Sequence, residues 1–97
     1  MPFRKIDFQT ELEKAFIRDP EFKKEWDNSR MEFEILAKLT RLRNEKGLSQ
    51  EEVAKRMGCT QQRISKIEKR EQSPTLRTLC SMANVLDVDI AFIPRQN

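Results

Sequence analysis

Four polar residues in a row, Thr60-Gln61-Gln62-Arg63, are followed at helical spacing by Ser65, Lys66 and Lys69. Their side chains end in amides, hydroxyls and positive charges. Such groups exchange hydrogen bonds rather than protons or electron pairs. Amides suit the donor and acceptor pattern on base edges, and cations suit phosphates. The residue types that carry catalysis are scarce by comparison. The chain has no histidine and no tyrosine, so a Cys/His nucleophile or a Cys/His zinc site cannot be built from it. Cys59 and Cys80 lie far apart, without CxxC spacing, and read as small core residues in a reducing compartment. Paired carboxylates such as Glu51-Glu52 fall at a helix start, where capping and the helix dipole account for them. There is no glycine-rich phosphate loop. The pattern is that of a binding protein, not an enzyme, with no cofactor and no metal.

Charge distribution points the same way. The 97 residues are 36% charged and 37% hydrophobic, with a net charge of +3. That fits one small domain with an appendage and a modest core, to which partners add stability. Residues 1–30 carry seven Lys/Arg and seven Asp/Glu. Residues 55–70 carry Lys55, Arg56, Arg63, Lys66, Lys69 and Arg70 against Glu68, a net of +5. A basic patch beside a neutral remainder suits a polyanion on one face; a solvated helix surface is the bland alternative. The first ten residues, "MPFRKIDFQT", lack the apolar run of a signal peptide. No apolar run approaches the roughly 20 residues of a membrane span. The expectation is a cytoplasmic protein with no membrane partner.

The polar cluster needs elements to hold it. "TELEKAFIRD" opens with Thr10 and Glu13 at capping-box spacing and predicts a helix with Leu12, Phe16 and Ile17 on one side. Asp19-Pro20 reads as an N-cap and a first-turn proline. From there to Gly47 nothing breaks the pattern, which gives one long helix or two with a joint near Asn28-Ser29. Phe22, Trp26, Phe33 and Leu36 keep near-helical spacing, as do Met31, Ile35, Leu39 and Leu42. Ser49 and Glu52 form another capping box, for a helix over 50–57 that Gly58 ends. Thr60 caps a helix over 61–69. Ser73-Pro74 starts one more, to about residue 86, with Leu76, Leu79, Cys80, Ala83 and Leu86 inward. "DVDIAFIP" alternates Val88, Ile90 and Phe92 with Asp89, Ala91 and Ile93, which predicts a short strand stopped by Pro94.

The two helices flanking Gly58 form a unit with its own logic. Helices crossing steeply over a tight turn bring their backbones close. Ala54 supplies a small side chain at the crossing, and Gly58 a residue free to take positive φ. Val53, Met57, Ile64 and Ile67 face a core beneath. Gln61, Gln62, Arg63, Ser65, Lys66 and Lys69 remain outward on the second helix.

At these residues the chain resembles the phage-repressor class of helix-turn-helix domains, the Xre type. The resemblance covers about residues 35–88, including "LRNEKGLSQEEVAKRMGCTQQRISKIEKREQSPTLRTLCSMANVLDV". It implies an all-α, repressor-like helix-turn-helix bundle that binds double-stranded operator DNA. The "TQQ" that opens the recognition helix is similar to repressors that read bases with two consecutive glutamines. By this resemblance Gln61 and Gln62 meet base edges, and Gln50 touches phosphate and braces the recognition helix. Thr60 and Lys69 are expected on phosphates; Ser65 completes the face; Arg63 and Lys66 are open to bases or phosphates. Arg43 and Glu68 fall where that family often has an ion pair between the first and third helices.

The ends carry a second resemblance. A leading "AFIRDPEFKKEW" helix, a repressor-type body and a terminal hydrophobic strand look like the HigA-type antitoxins of toxin–antitoxin systems. That implies repression of the chain's own operon and neutralisation of a RelE-like, HigB-type ribonuclease. The alternative is a stand-alone phage-type repressor without a toxin partner. The corresponding boundaries are 1–30 for an N-terminal helical extension, 31–88 for the DNA-binding domain, and 89–97 for a short C-terminal strand and tail. Phe3, Phe8, Phe16, Phe22 and Trp26 crowd the first third. Phe16, Ile17, Phe22 and Trp26 are candidates for toxin contact, with a core role for the aromatics as the alternative. A homodimer is expected, since one recognition helix reads only a few base pairs, with Ile90 and Phe92 as candidate dimer contacts.

Overall fold

The computed structural model describes residues 7–96. They form five helices: α1 Phe8–Arg18, α2 Pro20–Glu45, α3 Gln50–Met57, α4 Gln61–Glu68 and α5 Leu76–Val85. The chain divides into two compact units, Met1–Glu32 and Phe33–Asn97, and α2 contributes to both. It runs unbroken, with no joint at Asn28-Ser29. No helix among the described residues is long and apolar enough to cross a membrane.

The first unit is a helical hairpin. Asp7, not Thr10, caps α1: its carboxylate accepts the Thr10 amide at 3.4 Å and the Thr10 hydroxyl at 2.6 Å. A carboxylate makes the stronger cap because it also answers the positive end of the helix. Pro20 excludes helical backbone at the residue before it. Asp19 therefore leaves the helix (φ −138°, ψ 91°), and its side chain accepts the Phe22 amide of α2 at 3.2 Å. Phe16 then meets Phe22 and Trp26 at centroid distances of 5.8 and 6.2 Å. Phe8 reaches Trp26 at 6.3 Å, and Phe22 meets Trp26 at 6.2 Å. Phe3 lies outside the described residues. No residue of α1 is buried, so ring contacts hold the hairpin rather than a sealed core.

In the second unit, α2 buries Leu36 and Leu39 against Val53 and Ala54 of α3, Ile64 and Ile67 of α4, and Met82 and Leu86 near α5. Ile64 and Ile67 have no exposed surface; burying each fully is worth about 1.5–3 kcal/mol. Met31, Phe33 and Ile35 remain exposed, because a helix packed on one side buries one stripe. Ser49 and Glu52 close a reciprocal capping box at α3. Gly58 takes φ 76°, and its amide and that of Cys59 turn back onto the last carbonyls of α3.

Three expectations need correcting here. α5 is capped by Thr75, not Ser73: its hydroxyl accepts the Thr78 amide at 3.2 Å and meets the Thr78 hydroxyl at 3.0 Å. The inward face is accordingly Thr78, Met82, Ala83 and Leu86 with Leu79 half-buried, while Leu76 and Cys80 face out. Thr78 tolerates burial because its hydroxyl is satisfied, and that hydroxyl misled a count of apolar residues. Cys59, by contrast, packs against the core. Third, 88–93 forms no strand; among the described residues there is none. Alternation does not make a strand without an edge to pair with, and these residues provide no second one. Ile90, Phe92 and Ile93 are left exposed, Phe92 almost wholly so.

Candidate nucleic-acid interface

The interface is built on α3 and α4, packed across the Gly58 turn. Thr60 caps α4 from extended backbone (φ −87°, ψ 150°), accepting the Arg63 amide at 3.2 Å. The first turn of α4 carries no acidic residue, so its positive end is not neutralised, whereas Glu51 and Glu52 cover that of α3. With Ile64 and Ile67 inward, Gln61, Gln62, Arg63, Lys66 and Lys69 are exposed and Ser65 is half-buried. One face of α4 thus offers amides and cations together, a combination suited to base edges and phosphates.

Behind that face lies a polar network. Arg43 Nε donates to Glu68 Oε2 at 2.7 Å and Arg43 Nη2 to Glu68 Oε1 at 2.9 Å, a two-pronged pair joining α2 to α4. Arg43 Nη1 donates to the Leu48 carbonyl at 2.8 Å. The two side chains are 12% and 7% exposed. The Glu68 carboxylate raises the Arg43 pKa, outweighing the opposing effect of burial. Gln50 Nε2 donates to Glu68 Oε1 at 2.9 Å, and Gln61 Nε2 to Gln50 Oε1 at 2.8 Å. Gln50 is therefore seated between the ion pair and the start of the recognition helix. Gln62, Lys66 and Lys69 stand outward beside it.

Arg63 is placed differently. It donates to the Thr78 hydroxyl of α5 at 3.1 Å, so it faces the next helix. Nothing in the sequence singles out Thr78. Arg70 was also read only as charge. It stands 4.2 Å from the Phe33 ring centre, a cation–π contact worth about 0.5–1 kcal/mol at an exposed site. Arg70 adopts φ 61°, ending α4 in the left-handed region without a glycine.

Of the candidate protein-contact residues, Phe16 and Trp26 are half-buried in the ring cluster, Phe22 sits at its edge, and Ile17 is 83% exposed. Ile90 and Phe92 lie on the irregular segment after α5 and are exposed, Ile90 by about half.

Comparison with known proteins agrees with this geometry. The helix-turn-helix family profile matches residues 39–93. The HTH-type transcriptional regulator y4dJ of Sinorhizobium fredii is 50% identical over 48 residues, covering 50% of this chain and 62% of that protein. Antitoxin HigA1 of Mycobacterium tuberculosis is 35% identical over 82 residues, covering 84% of this chain and 55% of that protein. The chain thus spans between about half and three-fifths of the length of these two relatives. No solved structure matches it. With the two-helix unit, its buried face and its polar outer face all falling inside the matched span, the chain belongs to the helix-turn-helix family, Xre type, of DNA-binding regulators.

Proposed function

We propose that the protein is an antitoxin that binds its own operator as a homodimer and neutralises a RelE-like, HigB-type ribonuclease. The observation that carries this is the likeness to antitoxin HigA1, which runs over 82 residues, well beyond the family span of 39–93. The extra length takes in sequence outside the DNA-binding unit. α4 enters the major groove. Gln61 and Gln62 read base edges, glutamine pairing well with adenine. Gln50, Thr60 and Lys69 contact phosphates, Lys66 lies at the groove edge, and Ser65 lines the back of the face. Arg43 and Glu68 support α4 from beneath.

Toxin contact belongs to the first unit, where Ile17 and Phe22, at the edge of the ring cluster, are exposed and the same two helices expose Glu13, Glu21 and Glu25. An apolar anchor with an acidic rim suits a basic ribonuclease. The homodimer contact is assigned to 89–96, where Ile90 and Phe92 would be covered by a second copy.

The test has two arms. Co-expression with a RelE-like gene carried beside this one should restore growth, and Ile17→Glu should abolish rescue while leaving operator binding intact. In footprinting, replacing both Gln61 and Gln62 by alanine should erase sequence preference, whereas Lys69→Ala should weaken all sequences alike and reduce the salt slope by about one. Specific operator binding with no toxin rescued favours the second reading, a stand-alone repressor. The 50% identity to the regulator y4dJ, confined to 48 residues, supports that alternative.

A further inference from the structure

The hydrogen bonds behind α4 run in one direction. A carboxylate held by a guanidinium offers only acceptors. Glu68 Oε1 accepts from Arg43 and from Gln50 Nε2 at 2.9 Å each. Gln50 must therefore turn its NH2 toward Glu68, which leaves its carbonyl facing Gln61. Gln61 answers with its own NH2 at 2.8 Å. One N–H of Gln61 is spent. The carbonyl oxygen and the remaining N–H are what it has left to present outward.

We propose that Glu68, acting through Gln50, fixes the amide orientation of Gln61 and so makes it select adenine over guanine at the base pair it reads. This rests on the reading above that Gln61 meets a base edge. Adenine presents the N6 donor beside the N7 acceptor, which takes one carbonyl and one N–H. Guanine presents O6 and N7, both acceptors, and asks for two N–H groups. A free glutamine serves either base by turning its amide over. Here the turn would set the Gln61 carbonyl against the Gln50 carbonyl and leave both without a donor. Glu68 is a positioning residue in this arrangement: its side chain is 7% exposed and acts on the base only through two amides.

The same logic says how to release the preference. Glu68→Gln leaves one oxygen for three donors, Nε and Nη2 of Arg43 and Nε2 of Gln50. Either face of the new amide loses one Arg43 bond, so position 68 can offer Gln50 an oxygen or an NH2. In the second case Gln50 turns its carbonyl toward position 68 and its NH2 toward Gln61, and Gln61 faces the groove with both N–H groups. Gln50→Ala leaves the Arg43–Glu68 pair intact and frees Gln61 without turning it.

The experiment measures binding of the full chain to operators carrying A·T or G·C at the position whose preference Gln61→Ala removes. Wild type should favour A·T. Glu68→Gln and Gln50→Ala should each shrink the A·T over G·C ratio, by about tenfold, because both free the Gln61 amide. Loss of a phosphate contact in Gln50→Ala lowers both affinities and leaves the ratio untouched. A purely structural Glu68 would also move affinity and melting but not the ratio. An unchanged ratio in a folded Glu68→Gln protein overturns the proposal. If that variant does not fold, an unchanged ratio in Gln50→Ala overturns it instead. If Gln61→Ala leaves every base preference in place, the base-contact reading fails first and takes the relay with it.

Discussion

Arg63 of α4 donates to the hydroxyl of Thr78 on α5 at 3.1 Å, and Thr78 is 8% exposed. The contact ties the recognition helix to its neighbour and satisfies a buried hydroxyl at once. Thr78→Val removes the hydroxyl at nearly constant shape. It should cost about 1 kcal/mol, read from urea unfolding followed by circular dichroism, and it should leave Arg63 free to reach DNA.

The Arg43–Glu68 pair predicts a larger loss. Removing one partner of a buried ion pair strands the other, and costs about 3–5 kcal/mol. Arg43→Ala should therefore destabilise the second unit far more than Thr78→Val does. The sign with pH follows from the raised Arg43 pKa. The contribution is complete below the unfolded value and declines only as pH rises through the still higher folded value. Between neutral and moderately alkaline pH the Arg43→Ala penalty should stay constant.

Asp7 gives the opposite sign. Its hydrogen bonds to the side chain and amide of Thr10 hold its pKa below the ordinary 3.8. Stabilisation of α1 by this cap is complete above that ordinary value and is lost as pH falls through the lower folded value. An NMR titration should show the Asp7 carboxyl and the Thr10 amide shifting together, below the midpoint of exposed carboxylates. Asp7→Asn should remove the acid transition while keeping part of the cap.

Asp87 follows α5 with φ 57°, and the Val88 amide turns back to the Ala83 carbonyl at 3.0 Å. Glycine takes that backbone without the Cβ penalty. Asp87→Gly should raise stability by about 0.5–1 kcal/mol, although it removes a side chain. A lower midpoint in urea would contradict this.

The legible parts of the sequence were those with local chemistry. Ser49 with Glu52, Thr60, Gly58 and Pro20 each act within a turn of themselves, and α3 came out with the bounds its caps announce. Val53, Ala54, Ile64 and Ile67 were legible because burial there coincides with simple helical spacing. Less legible were features set by tertiary partners. Thr78 looks polar until Arg63 and Thr75 are beside it, so the expected inward face of α5 takes in Leu76 and Cys80 along with Leu79, Ala83 and Leu86, and omits Thr78. Arg70 and Asp87 end their helices with positive φ, where glycine would have announced the stop. The 88–93 alternation announced a strand that does not form, since pairing depends on a partner edge. In the candidate interface, residue types single out Gln61 and Gln62, but the direction of the amide chain is set by Gln50 and Glu68, which sequence spacing does not bring together.

Trp26 is the sole tryptophan, and the chain has no tyrosine. Its ring lies among Phe8, Phe16 and Phe22 in the first unit, and the second unit holds no comparable emitter. Intrinsic fluorescence therefore watches the helical hairpin alone and is blind to the DNA-binding bundle, while ellipticity at 222 nm counts helices in both. Two melting curves recorded on one sample become a direct measure of whether the units unfold as one cooperative body. If the emission changes at a lower temperature than the ellipticity, the hairpin opens first and the recognition helix survives it.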